Sequence, residues 1–248
     1  MLNHLVLDIG NTRAKAVLFA PGATEPLSTA AFDTHDRTGL LGWLAAHSAA
    51  AAIVSSVALP DAALWEAVRA QVPFVLELSH ETPLPLLNAY RTPQTLGRDR
   101  LAGAVGAWRL FPGEGVLVLD AGTCLKYDFV RDDGVYLGGS ISPGLGMRYE
   151  ALSHFTARLP LLGLGPEEGL VGDTTETAIR TGVQHGALFE VEGFWRAYER
   201  EMGARRLLVT GGDADFFATR LKLPLFAVPH LVPIGLTTIL EHNVRLSS

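Results

Sequence analysis

Leu5-Val6-Leu7-Asp8-Ile9-Gly10-Asn11-Thr12 reads as a buried strand that ends in a turn carrying a carboxylate. Val6, Leu7 and Ile9 suit a covered strand, and Gly10 permits a tight turn whose backbone N–H groups can face an anion. Asp8 points its carboxylate at the same spot. A carboxylate beside a phosphate repels it unless a cation or an activated water lies between them, which is how nucleotide phosphates are held. Asp, Gly, Asn and Thr also favour ordinary Asx turns, so a single copy of the pattern carries little. A second copy follows at Val116-Leu117-Val118-Leu119-Asp120-Ala121-Gly122-Thr123, again ahead of a segment that reads as a returning strand. A third apolar run, Leu207-Leu208-Val209-Thr210, ends in Gly211-Gly212-Asp213. Three strand-to-glycine turns describe a nucleotide cleft between two related α/β halves, divided here at residues 1–114 and 115–248.

The 248 residues suffice for a large core, and 48% hydrophobic content places the chain among folded proteins. A net charge of −6 without a Lys/Arg cluster argues against a nucleic-acid or anionic-membrane surface. The single cysteine, Cys124, excludes an intrachain disulfide and fits a reducing cytosol. Met1-Leu2-Asn3-His4 lacks the basic start of a signal peptide, so a cytoplasmic location is expected. Residues 38–60 contain no charged side chain, but their Ala, Ser and Gly content and the closing Pro60 read as a helix followed by a strand rather than a membrane span.

Alternating helical and strand-like segments up to residue 78 mark an α/β sheet. They include a second strand at residues 14–20, with Lys15 within reach of a phosphate, and a helix that Asp61 could cap. Pro83, Pro85 and Pro93 restrain a long loop that contains Tyr90. Gly97-Arg98-Asp99-Arg100 then opens a helix with Leu101, Ala104, Val105 and Trp108 on one face. Asp99 is either its N-cap or a functional carboxylate; the flanking arginines favour its ionised form and could receive an anionic substrate. The four glycines between Tyr136 and Gly146 fit neither a simple helix nor a simple strand, and imply close backbone approach or a flexible lid. Thr174 opens a helix in which Ile179, Val183, Ala187, Val191 and Trp195 recur every four residues; Thr175 either caps it or turns its hydroxyl to a ligand. No H-x-x-x-H spacing, Walker loop, G-x-G-x-x-G or complete nucleophile elbow is present, so zinc chemistry and serine hydrolysis have no support.

Taken in order, Asp8-Ile9-Gly10-Asn11-Thr12, Gly97-Arg98-Asp99-Arg100, Asp120-Ala121-Gly122-Thr123, Gly138-Gly139-Ser140-Ile141-Ser142-Pro143-Gly144, Thr156-Ala157-Arg158-Leu159-Pro160 and Gly172-Asp173-Thr174-Thr175 resemble the motifs of the type III pantothenate kinases. That family belongs to the superfamily of acetate kinase, sugar kinases and actin. The resemblance implies an actin/sugar-kinase-like, ribonuclease H-like fold with mixed central sheets flanked by helices. It implies phosphorylation of the primary hydroxyl of pantothenate by ATP in a cytoplasmic homodimer. Carried over by motif, Asp8, Ile9, Gly10, Asn11, Thr12, Arg13, Ala14, Lys15 and Thr123 hold ATP phosphates, with Mg²⁺ at Asp8. Asp120 takes a monovalent cation, K⁺ or NH₄⁺. Tyr90, Gly97, Arg98, Asp99, Arg100 and Thr175 contact pantothenate, and Asp99 is the proton acceptor. Arg100 meets the substrate carboxylate or steadies Asp99. Cys124 and the pair Asp173-Thr174 depart from the family's usual residues. The competing readings are a kinase of another small alcohol, such as a sugar, and an ATP-binding regulatory protein without turnover. Short length stands against the first, and the retained Asp99 against the second.

The helix after Arg100 carries Ala102, Gly103, Ala104, Gly106 and Ala107. So small a surface suits close packing, either against a partner subunit or within the chain, and the resemblance favours the partner.

Overall fold

Residues 5–7 form the middle of strand β1 (Asn3–Ile9), where Leu5, Val6 and Leu7 are buried, as a strand covered on both faces requires. The computed structural model describes residues 3–10, 13–34, 36–56, 62–166 and 169–247. Asn11, Thr12 and Asp61 lie outside the described residues. The chain divides into two compact units, Met1–Leu110 with His230–Ser248, and Phe111–Pro229.

In the first unit β1 pairs with antiparallel β2 (Arg13–Phe19) and parallel β4 (Ala49–Ser56). Antiparallel β3 (Pro26–Asp33) and parallel β5 (Phe74–Glu77) extend the two edges, giving the order β3-β2-β1-β4-β5. Helix α1 (Arg37–Ala46) connects β3 to β4, and α2 (Ala62–Gln71) connects β4 to β5. Leu40, Leu44 and Val68 from these helices share a core with Leu5, Leu7 and Leu18. The proline-rich segment that follows holds a two-residue strand, β6 (Leu87–Asn88), and a 3₁₀ turn, Pro93–Thr95, before α3 (Arg98–Leu110).

The second unit repeats the plan. Strand β7 (Val116–Ala121) pairs with antiparallel β8 (Cys124–Val130) and parallel β10 (Arg206–Thr210), while β9 (Val135–Pro143) and β11 (Leu225–Ala227) extend the edges in the order β11-β10-β7-β8-β9. Helices α4 (Leu145–His154) and α5 (Thr175–Ala197) stand between β9 and β10, and α6 (Ala214–Arg220) between β10 and β11. The every-fourth stripe on α5 is the core face: Ile179, Val183, Ala187, Val191 and Trp195 pack with Leu117, Leu119 and Leu125.

Three expectations change. The last helix, α7 (Leu231–Leu246), returns to the first unit, so the division is not a cut at 114/115; it packs against α3, β1 and β4. That packing fills the small-residue face of α3, whose residues 100–107 are all buried. A Cβ at Gly235 would lie 1.7 Å from the Ala102 carbonyl oxygen, and one at Gly106 2.4 Å from that of Leu231. Glycine is what lets the two backbones touch. The glycine-rich segment, finally, is strand β9 running into the start of α4, not a lid. Gly138 adopts φ +90° where the β8/β9 register shifts, and a Cβ at Gly139 would sit 1.7 Å from the Tyr127 carbonyl oxygen, so close approach is the correct half of that reading.

Candidate active site

Asp8 and Asp120 occupy matching places. Each lies near the end of the central strand of its sheet, opposite a lysine on the returning strand: Asp8 is in register with Lys15, and Asp120 with Lys126. On the other side each faces a buried hydroxyl residue of the parallel neighbour, Ser55 beside Asp8 and Thr210 beside Asp120. The hairpins are closed from within, because Gly10 N–H donates to the Arg13 carbonyl (2.9 Å) and Gly122 N–H to the Cys124 carbonyl (3.0 Å). Those two N–H groups therefore serve the turn rather than an anion. Ile9 and Asp8 are half-buried, Arg13 and Lys15 exposed, and Ala14 buried.

The first unit brings the α3 N-terminus to this strand end. Arg98 Nη1 donates to the Ser56 carbonyl at 2.6 Å, and Ser56 is the register partner of Ile9. Arg98 is thus a tether between the Gly-Arg-Asp-Arg segment and the end of the sheet. Asp99 sits inside the first turn of α3, one position past its start, and is not an N-cap. Its carboxylate folds back over Gly97, where a Cβ would come within 2.6 Å of Asp99 Oδ1, so a side chain there would displace that carboxylate. Arg100 is buried, and its guanidinium lies 5.6 Å from the centre of the Tyr90 ring, a cation–π contact joining two of the residues expected at the substrate. Tyr90 N–H in turn donates to Asn88 Oδ1 at 3.0 Å, which fixes the loop that carries the ring.

The second unit holds Asp120, Thr123 and Thr175. Exposed Thr123 lines a pocket of about 620 Å³ with Gly122, Tyr149, Glu150, Gly212 and Asp213. This brings the second and third glycine turns together, and Asp213 N–H donates to the Ala121 carbonyl at 2.9 Å. Burial pushes the Asp213 carboxyl above the usual carboxylate range. Thr175 does not line this pocket. It is not the helix cap either: Thr174 caps α5 in a capping box with Thr177, and Thr177 Oγ1 also donates to Asp173 Oδ1 (3.3 Å). The Asp173-Thr174 departure therefore builds the start of α5 and leaves Thr175 exposed beside it.

One cluster escaped the sequence reading. Tyr127, Ser142 and Arg148 all donate to the Glu190 carboxylate, Tyr127 at 2.9 Å, and Arg148 Nε also donates to the Pro143 carbonyl at 2.9 Å. Burial pulls the Glu190 carboxyl upward, but these hydrogen bonds outweigh it and hold the group below its ordinary value. The cluster ties β8, β9, α4 and α5 together behind Gly144, whose N–H donates to the Thr123 carbonyl at 3.1 Å. The donors lie 42 to 63 residues away from Glu190, which no local spacing could reveal.

Comparison with known proteins follows the same lines. The fold resembles the activator of the 2-hydroxyisocaproyl-CoA dehydratase from Clostridium difficile (TM-score 0.57, 13% identity, 99% of this chain and 97% of that one). It also resembles a glucokinase from an Antarctic psychrotroph (TM-score 0.56, 13% identity, 98% and 99%). These likenesses establish the actin/sugar-kinase-like fold. A type III pantothenate kinase from Phocaeicola vulgatus is 42% identical over 247 residues, covering 98% of this chain and 100% of that protein. The family model for type III pantothenate kinase matches residues 4–197, and the chain belongs to that family.

Proposed function

We propose that this chain transfers the terminal phosphoryl group of ATP to the primary hydroxyl of pantothenate, the first step toward coenzyme A, with Asp99 as proton acceptor. The observation that carries the reading is the Arg98 tether to Ser56. It fixes the carboxylate assigned to the acceptor hydroxyl to the same strand ends as the carboxylate assigned to the phosphates. Phosphoryl transfer passes through a loose transition state, so the protein's part is alignment and charge placement more than covalent chemistry. Asp99 orients the hydroxyl and takes its proton as the new P–O bond forms. Arg100 supplies positive charge against Tyr90 for the substrate's carboxylate end, while Lys15, the first turn and Thr123 steady the phosphates. Thr175 completes the pantothenate contacts.

Asp8 fits a Mg²⁺ that arrives with the nucleotide. It is a half-buried carboxylate at a strand end, and among the described residues no group of three or more His, Cys, Asp or Glu is arranged to hold a metal alone. Such an ion would take most of its oxygens from phosphate and water and offset phosphate charge. Asp120 does not fit a monovalent cation, because its carboxylate already carries Lys126 at 2.7 Å.

The test is ATP consumption with pantothenate, with a panel of sugars and without acceptor. ADP should form with pantothenate alone. Turnover on a sugar supports the other-alcohol reading, and nucleotide binding without any turnover supports the regulatory one.

The working unit we infer is a homodimer in the cytoplasm. No described helix is long and apolar enough to cross a membrane. With α3 covered by α7, the support for a partner subunit moves to the second unit, where Phe155, Leu170 and Val171 are 82%, 68% and 85% exposed. Light scattering should give twice the 26.6 kDa chain mass. A monomer with full specific activity contradicts the dimer.

A further inference from the structure

We propose that the Lys126 ammonium is a built-in cation at Asp120, so that this kinase turns over without K⁺ or NH₄⁺. The proposal rests on the pantothenate kinase reading and concerns one position within it. Asp120 and Lys126 are register partners on antiparallel β7 and β8, which puts both side chains on one face of the sheet. Lys126 Nζ lies 2.7 Å from Asp120 Oδ2, and each side chain is only 20% exposed. That is the length of a charge-assisted hydrogen bond.

The surroundings leave little for a free ion. A dehydrated K⁺ needs several oxygens at once in place of its water. The Ala121 carbonyl accepts from Asp213 N–H (2.9 Å), the Thr123 carbonyl from Gly144 N–H (3.1 Å) and the Cys124 carbonyl from Gly122 N–H (3.0 Å). On the far side of the carboxylate the third turn closes in. A Cβ at Gly211 would lie 2.6 Å from Asp120 Oδ1, and Gly211 has φ +96°. A lysine head group is itself an alkylated ammonium, the same donor chemistry as NH₄⁺, delivered by the strand register and needing no recruitment from solution.

The repeated architecture separates this lysine from its counterpart. Lys15 stands in the same register opposite Asp8, but it is exposed and is assigned to the phosphates, whereas Lys126 is partly buried against its carboxylate. Two positions related by the internal repeat have thus taken different tasks.

The test compares the dialysed protein in chloride salts of K⁺, NH₄⁺, Na⁺ and choline at equal ionic strength, by pantothenate phosphorylation and by melting temperature with ADP bound. The wild-type protein should give equal rates and equal melting temperatures in all four. Lys126→Met should lose about tenfold or more in rate in choline, and recover it in K⁺ or NH₄⁺ together with a K⁺-dependent rise in melting temperature. Wild-type protein that is faster or more heat-stable in K⁺ than in choline overturns the proposal. So does a Lys126→Met loss that no cation restores, since the lysine then serves the nucleotide or the fold. The melting temperatures decide the question even if pantothenate proves not to be the acceptor.

Discussion

Asp99→Asn lowers kcat by about 10²–10⁴-fold while KM for pantothenate moves far less. The amide keeps the size of the carboxylate and can still fold back over Gly97, where a Cβ would approach Asp99 Oδ1 to 2.6 Å, so the α3 start keeps its shape. It cannot take a proton. Because Asp99 lies inside the first helical turn and the N-cap position is not its own, the capping account predicts no loss of rate from this change. Steady-state kinetics on the folded variant separate the two. A variant that phosphorylates pantothenate at nearly the wild-type rate reduces Asp99 to a helix-terminus charge.

Gly235→Ala has the largest expected effect on stability. Replacing a helical glycine by alanine ordinarily gains up to about 1 kcal/mol. Here the new methyl carbon would fall 1.7 Å from the Ala102 carbonyl oxygen and 2.9 Å from Gly106 N, both backbone atoms that cannot rotate away. Helices α3 and α7 must move apart, and overpacking of this kind costs about 3 kcal/mol or more. The clash therefore wins, and the melting temperature should fall by roughly 5 °C or more. Activity should suffer as well, since α3 carries Asp99 and Arg100. Gly42→Ala, at an exposed position of α1 with nothing within 4 Å of its added carbon, is the control and should be neutral or stabilising. Equal melting temperatures for Gly235→Ala and the wild type contradict the close helix contact.

The parts of the fold that sequence displayed were those with a local signature. The Asp-x-Gly turns mark the ends of β1 and β7, and the four-residue stripe on α5 is the buried face of that helix. Strand β3 has no such signature: Ser28, Thr29, Ala30 and Ala31 give no apolar alternation, and its side chains are nowhere fully buried. The destination of α7 was hidden for another reason. A run of Ala and Gly on α3 says that something packs closely but not what, and the answer lies in Gly235, remote in the chain. The Gly-Arg-Asp-Arg segment was legible as a site, while the role of Arg98 as a tether depends on a carbonyl 42 residues earlier. Lys126 was within reach of sequence reasoning. Its place on the strand returning from Asp120 mirrors that of Lys15 opposite Asp8, and only the register turns that likeness into an ion pair.

The most direct test of the central claim is the identity of the product. Purified protein incubated with ATP, Mg²⁺ and pantothenate should yield a single phosphate ester whose phosphorus couples to the protons of the primary carbinol carbon in a ³¹P–¹H NMR spectrum. Asp99→Asn over the same time should form the ester about 10²-fold more slowly or slower still. A phosphate on any other oxygen, or ADP released while pantothenate remains intact, contradicts the account.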